Sequence, residues 1–148
     1  MSHRILAALF TLSLAACGPG DRDAPTDAPP PVAEPRMLGG VDLNEPLRAL
    51  GTEPFWGVAI SPETLVYSGV DQAEQTAPNP GPEVQGTTAV YASATGDGTA
   101  MVVTLVATEC SDGMSDRVYP LTARVELGEL SLNGCAQSAA MLDAEPRP

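Results

Sequence analysis

Lysine is missing from this chain altogether, and histidine occurs once, at His3. Aromatic residues make up only 4% of the sequence, with a single Trp, so any core must be built from aliphatic side chains and alanine. No apolar run is long enough for a settled transmembrane helix: the best, Ile5 to Ala16, falls well short of the roughly 20 residues a bilayer requires. That run follows Arg4 and reads instead as a signal peptide over residues 1–16. Its removal takes His3 with it, leaving no imidazole and no side-chain amine. A Ser-His-Asp triad, a Cys-His pair, a His-ligated zinc and a Schiff-base lysine are thereby excluded.

Cysteine is scarce but informative. Leu14-Ala15-Ala16-Cys17 looks like a bacterial lipobox, in which Cys17 is diacylated and becomes the mature N-terminus. Each buried CH₂ contributes about 0.8 kcal/mol, so two or three acyl chains anchor a protein for long times. Cys17 is therefore expected to bind the lipid bilayer. Residue 18 is Gly rather than the Asp that resembles an inner-membrane retention signal, which favours an outer-membrane anchor with the domain in the periplasm. Cys110 and Cys135 remain, and an oxidising periplasm pairs them. A loop of about 25 residues closed in this way gains about 3 kcal/mol by chain entropy. A two-Cys metal site would lack partners.

Positive charge is equally scarce. Six Arg remain after Cys17 against 19 acidic residues, a net charge of −13 for the mature chain. Nucleic acid is excluded as a partner on charge, whereas a cationic protein or peptide is a compatible one.

The chain predicts four segments: the signal peptide, a lipidated Cys17 with a disordered Pro/Asp/Ala-rich tether over 17–43, a β-rich periplasmic domain over 44–136, and a flexible tail over 137–148. NEPLRAL, residues 44–50, reads as a short N-terminal helical turn with Asn44 as cap and Gly51 as exit. Beyond it the periodicity is two. Trp56, Val58 and Ile60 share a face, and TLVYSGV returns beside them after a turn at Ser61–Glu63. DQAEQTAPNPGPEVQ reads as a long acidic loop. A two-residue turn at Asp97-Gly98 would set Val90 against Leu105 and Ala92 against Val103. Gly128-Glu129 would set Leu127 against Leu130 and Val125 against Leu132. About six short strands of this kind predict an all-β fold, a small antiparallel barrel or sandwich with one disulfide.

The densest cluster of functional side chains is ECSDGMSDRVYP, residues 109–120. Ser111 and Ser115 have only Asp112, Asp116 and Glu109 near them as bases, and carboxylates of pKa about 4 are weak partners for a hydroxyl. Asp112 and Asp116 do not have EF-hand spacing. Neither catalysis, a metal nor a cofactor is expected. The same residues suit a hydrogen-bonded corner, with Gly113 at positive φ, or a recognition surface formed with Glu53, Trp56, Arg117 and Tyr119. Glu53 is expected to be partly buried and paired with Arg117, and Trp56 to be core.

Two stretches carry a resemblance: Gly51-Thr52-Glu53-Pro54-Phe55-Trp56, and Cys110-Ser111-Asp112-Gly113-Met114-Ser115-Asp116 with Tyr119-Pro120, followed by Gly134-Cys135-Ala136. Together they resemble a group of bacterial envelope lipoproteins marked by G-x-E-P-F-W, C-S-D-G-M-S-D-x-x-Y-P and G-C-A. The resemblance implies a periplasmic β-rich lipoprotein domain and no particular activity. A looser similarity runs to META-type domains and to the membrane-bound inhibitor of c-type lysozyme. The sequence thus points to a non-catalytic binding or structural module, with inhibition of a cationic envelope hydrolase as the alternative.

Overall fold

The computed structural model describes residues 34–70 and 72–144. The signal peptide, Cys17, the tether up to residue 33 and the last four residues lie outside the described residues. Where the chain is described, alternation of apolar and polar side chains has become strand. In order these are β1 (Met37–Leu38), β2 (Val41–Asp42), β3 (Leu47–Thr52), β4 (Phe55–Ile60), β5 (Thr64–Gly69), β6 (Gln75–Pro78), β7 (Glu83–Gln85) and β8 (Thr88–Ala94). There follow β9 (Ala100–Val106), β10 (Cys110–Ser111), β11 (Val118–Tyr119), β12 (Leu121–Leu127), β13 (Leu130–Ser138) and a helix, α1 (Ala139–Ala144).

Nine strands form one antiparallel sheet in the order β6-β5-β4-β3-β13-β12-β9-β8-β7. Residues 79–82 join its two edge strands, and Ser93 Oγ of β8 donates to the Pro78 carbonyl of β6 at 2.6 Å. The sheet therefore curls back towards itself, which shields the unpaired edges that an open sheet would offer to other chains. Its inner face holds the core: Leu47 and Ala49 of β3, Trp56, Val58 and Ile60 of β4, Leu65 and Tyr67 of β5, Tyr91 of β8, Met101, Val103 and Leu105 of β9, and Leu121, Ala123 and Val125 of β12. The all-β fold, the shared face of Trp56, Val58 and Ile60, and the Cys110–Cys135 disulfide match the sequence reading. So does the β12–β13 hairpin, which pairs Leu127 with Leu130 and Val125 with Leu132. Gly128, at φ +58°, supplies the left-handed residue that a two-residue turn needs.

Five expectations are corrected. NEPLRAL is not helical: Asn44 turns the chain through its contacts with Asp42 and Glu34, and Leu47–Thr52 is a strand paired on both sides, by β13 and β4. Leu-Arg-Ala-Leu suits either state locally, and two-sided pairing decides it. The folded region begins before residue 44, because β1 and β2 form a small ladder that buries Leu38, Val41 and Leu43. The acidic loop contains β6 and β7, both at sheet edges where proline is tolerated.

The β8–β9 hairpin is one residue out of the expected register. Thr95 N donates to Thr99 O at 2.9 Å, leaving a three-residue loop with Gly98 at φ +87°. The buried Thr95 hydroxyl bonds the Asp97 carboxylate across that loop. Ala92 consequently faces Val102, and Ala89 and Tyr91, in place of Val90 and Ala92, point inward opposite Leu105 and Val103. Finally, residues 137–144 are not a free tail: β13 continues to Ser138 and runs directly into α1.

Candidate functional site

Residues from the two motif stretches converge on one point of the sheet, from opposite faces. Inside, the Trp56 indole lies across Gly51 of β3 and against Gly134 of β13. A Cβ on Gly51 would overlap the indole nitrogen, and one on Gly134 would overlap both the Leu50 carbonyl and the Trp56 ring. The two glycines therefore exist to admit the ring and to let β3 and β13 approach. Outside, the next residue, Cys135, is bridged to Cys110, which ties the β10–β11 ladder to the outer surface of β13.

The loop between β10 and β11 is organised by one carboxylate. Asp112 Oδ1 accepts from the backbone N–H groups of Ser115 and Met114 at 2.8 and 3.0 Å. Its Oδ2 accepts from the Ser115 hydroxyl at 2.8 Å and from the Tyr119 hydroxyl at 3.1 Å. Partial burial pushes the Asp112 carboxyl up, but those four donors outweigh it and hold the pKa down at about 2. Burial, then the bond to Asp112, raises the Tyr119 phenol. Arg117 places its guanidinium 5.9 Å from the centroid of the Tyr119 ring. The Thr52 hydroxyl donates to the Asp112 carbonyl at 3.0 Å, fastening the loop to the end of β3.

This corner forms one wall of an open groove of about 670 Å³ on the outer face of β3, β4 and β5. Leu50, Gly57, Ala59 and Val66 make a shallow apolar floor. Asp112, Ser115, Arg117 and Tyr119 stand on one side, Arg48 and Glu74 add charge, and Leu142 and Asp143 of α1 approach from another. Positive and negative groups are thus mixed within it. Among the described residues, no group of three or more His, Cys, Asp or Glu side chains is placed to hold a metal ion.

The structure brings together only part of the surface that the sequence suggested. Asp112, Ser115, Arg117 and Tyr119 meet at the groove. Ser111 is exposed and accepts from Gly113 N–H at 3.3 Å, and Asp116 is exposed beyond the corner. Trp56 faces the core and is not a contact residue. Glu53 is exposed on the turn before a cis Pro54, not partly buried; Arg117 lies over Tyr119 instead. The exposed aromatic of that stretch is Phe55, on the opposite side of β4 from Trp56. Sequence reasoning missed Arg48, Glu74 and Asp143. The signal for Arg48 was present, since it alternates with the apolar Leu47 and Ala49, but a helical reading of the segment concealed it. No protein-family model, curated protein or solved structure matches the chain.

Proposed function

We propose that this protein is a lipoprotein of the cell envelope, held in the outer membrane through acylated Cys17, whose folded β domain is a non-catalytic binding module in the periplasm. The observation that carries the binding role is the groove beside the Asp112 corner: an apolar floor with Arg48 and Arg117 at its sides, held by a wall that the disulfide and the Asp112 bonds keep in place. The same bonds support a non-catalytic reading. The Ser115 hydroxyl donates to a carboxylate whose pKa is about 2, which is too weak a base to activate it at neutral pH. The lipobox over Leu14–Cys17 supports the anchor and the address.

Two measurements test the proposal. Metabolic labelling with an alkyne-bearing palmitate, followed by membrane fractionation, is expected to find label on the parent, in the outer membrane, and none on Cys17→Ser. An unlabelled parent ends the lipoprotein reading. The net charge of −13 after Cys17 favours a second reading, inhibition of a cationic hydrolase such as c-type lysozyme. It requires inhibition that is strongest at low ionic strength and fades with salt, and lysozyme at full activity in low salt rules it out.

A further inference from the structure

A second groove, of about 490 Å³, lies on the other side of the β10–β11 ridge. Alternation along that ridge sends Ser115, Arg117 and Tyr119 to the first groove, and Val118 and Pro120 to the second. The two differ in kind. Three large apolar side chains line the second groove although they stand open to solvent: Met37 at 55% exposure, Val118 at 62% and Met141 at 56%. The charged residues lining it, Asp42 and Glu45, are both acidic. Asp42 is occupied in bonds to the backbone N–H groups of Arg36 and Asn44, whereas the Glu45 side chain is exposed and has no partner among the described residues.

Gln137 completes the lining. It is 5% exposed, on the outer face of β13, and its Nε2 is buried with no acceptor among the described residues. Open methionines and a lone acid together define a complement: an apolar side chain and a cation.

We infer that this groove, bounded by Met37, Val118, Met141, Glu45 and Gln137, is the docking site for an extended, cationic segment of a partner protein. An apolar side chain of the segment packs among Met37, Val118 and Met141, and an adjacent Lys or Arg faces Glu45. Methionine surfaces adapt to side chains of varied shape, so the basic residue supplies the selectivity. The absence of any cation from the lining, in a chain of net charge −12, leaves that charge for the partner to bring. The inference rests on the reading of the domain as a binding module and assigns it a second site and a partner chemistry.

The test uses the purified full chain and two nonapeptides, one alternating Lys with Leu and one alternating Glu with Leu. At low salt the Lys/Leu peptide is expected to bind at least about tenfold more tightly than the Glu/Leu peptide, with the preference shrinking as salt is added. Binding should shift the side-chain amide protons of Gln137 in ¹⁵N–¹H spectra. Glu45→Gln and Met141→Ser, at exposed positions, should each weaken it about fivefold or more without changing the melting temperature. Equal affinity for both peptides, or unmoved Gln137 amide signals, overturns the inference. Lys/Leu binding that survives both substitutions and shifts residues around Arg48 also overturns it, while leaving the binding-module reading in place. Binding of neither peptide removes the cationic partner, and palmitate labelling then judges the lipoprotein reading by itself.

Discussion

At neutral pH the Asp112 carboxylate serves four donors, two from backbone and two from side chains. Its folded-state pKa of about 2 lies below the value of about 3.9 for an unfolded aspartate. The stabilisation from its charge is therefore complete above about pH 4 and disappears as the pH falls through about 2. Asp112→Asn should cost about 1–2 kcal/mol at pH 7, solvent access to the loop keeping the figure modest. Urea titrations of parent and variant should show that difference constant from pH 7 to pH 5 and shrinking steadily below about pH 4. A difference independent of pH would mean that shape alone, without charge, accounts for the role of Asp112. Asp116→Ala, at an exposed position, serves as the control and should stay within about 0.5 kcal/mol of the parent.

Among the elements, β3 and β13 meet at a separation that no larger residue at position 134 permits. Gly134→Ala puts a methyl group into the Leu50 carbonyl and the Trp56 ring, a backbone clash that side-chain rotation does not relieve. A loss of about 3 kcal/mol is expected by chemical denaturation, at the upper end for overpacking. Gly96→Ala, where nothing lies within 4 Å of the added carbon, should be far milder.

The same elements show where the sequence was legible. Leu121 to Leu132 could be read to the residue because its alternation is strict and Gly128-Glu129 closes a two-residue turn. The β8–β9 register could not, because the loop's length is settled by the Thr95 hydroxyl bonding across it, and one extra residue reverses which side chains face inward. β3 was hidden on both sides: β13 lies more than 80 positions away, where local propensity carries no trace of pairing, and the adjoining hairpin with β4 was concealed by the helical reading of residues 44–50. At the site, Asp112 and Tyr119 were within reach, being seven residues apart on one turn. The floor of Leu50, Ala59 and Val66 was not, since it exists only once three strands are side by side.

Over the whole molecule, charge is the dominant feature: 19 acidic residues against seven Arg. Self-repulsion on this scale opposes compaction, and an exposed ion pair such as Arg124–Glu126, at 3.0 Å, offsets little of it. Raising salt from about 10 mM to about 150 mM shortens the screening length from roughly 30 Å to roughly 8 Å. The melting temperature of the folded chain should accordingly rise by several degrees over that interval, with sodium chloride and potassium chloride acting alike. A flat response would mean that the acidic side chains are spaced widely enough to ignore one another.

The placement of β13, between β3 and β12, bears on the order of events during synthesis. Read from the N-terminus, the chain first supplies the hairpins that become one flank, then those of the other, and only afterwards the strand that joins them. Until residues 130–138 are present, the edge of β3 that pairs with β13 has no partner. Closing contacts of such long sequence separation is slow, because the intervening chain must be gathered before any bond rewards it. The centre of the finished sheet is thus the last part to be made, and the sheet cannot join its two flanks before its final strand is in place.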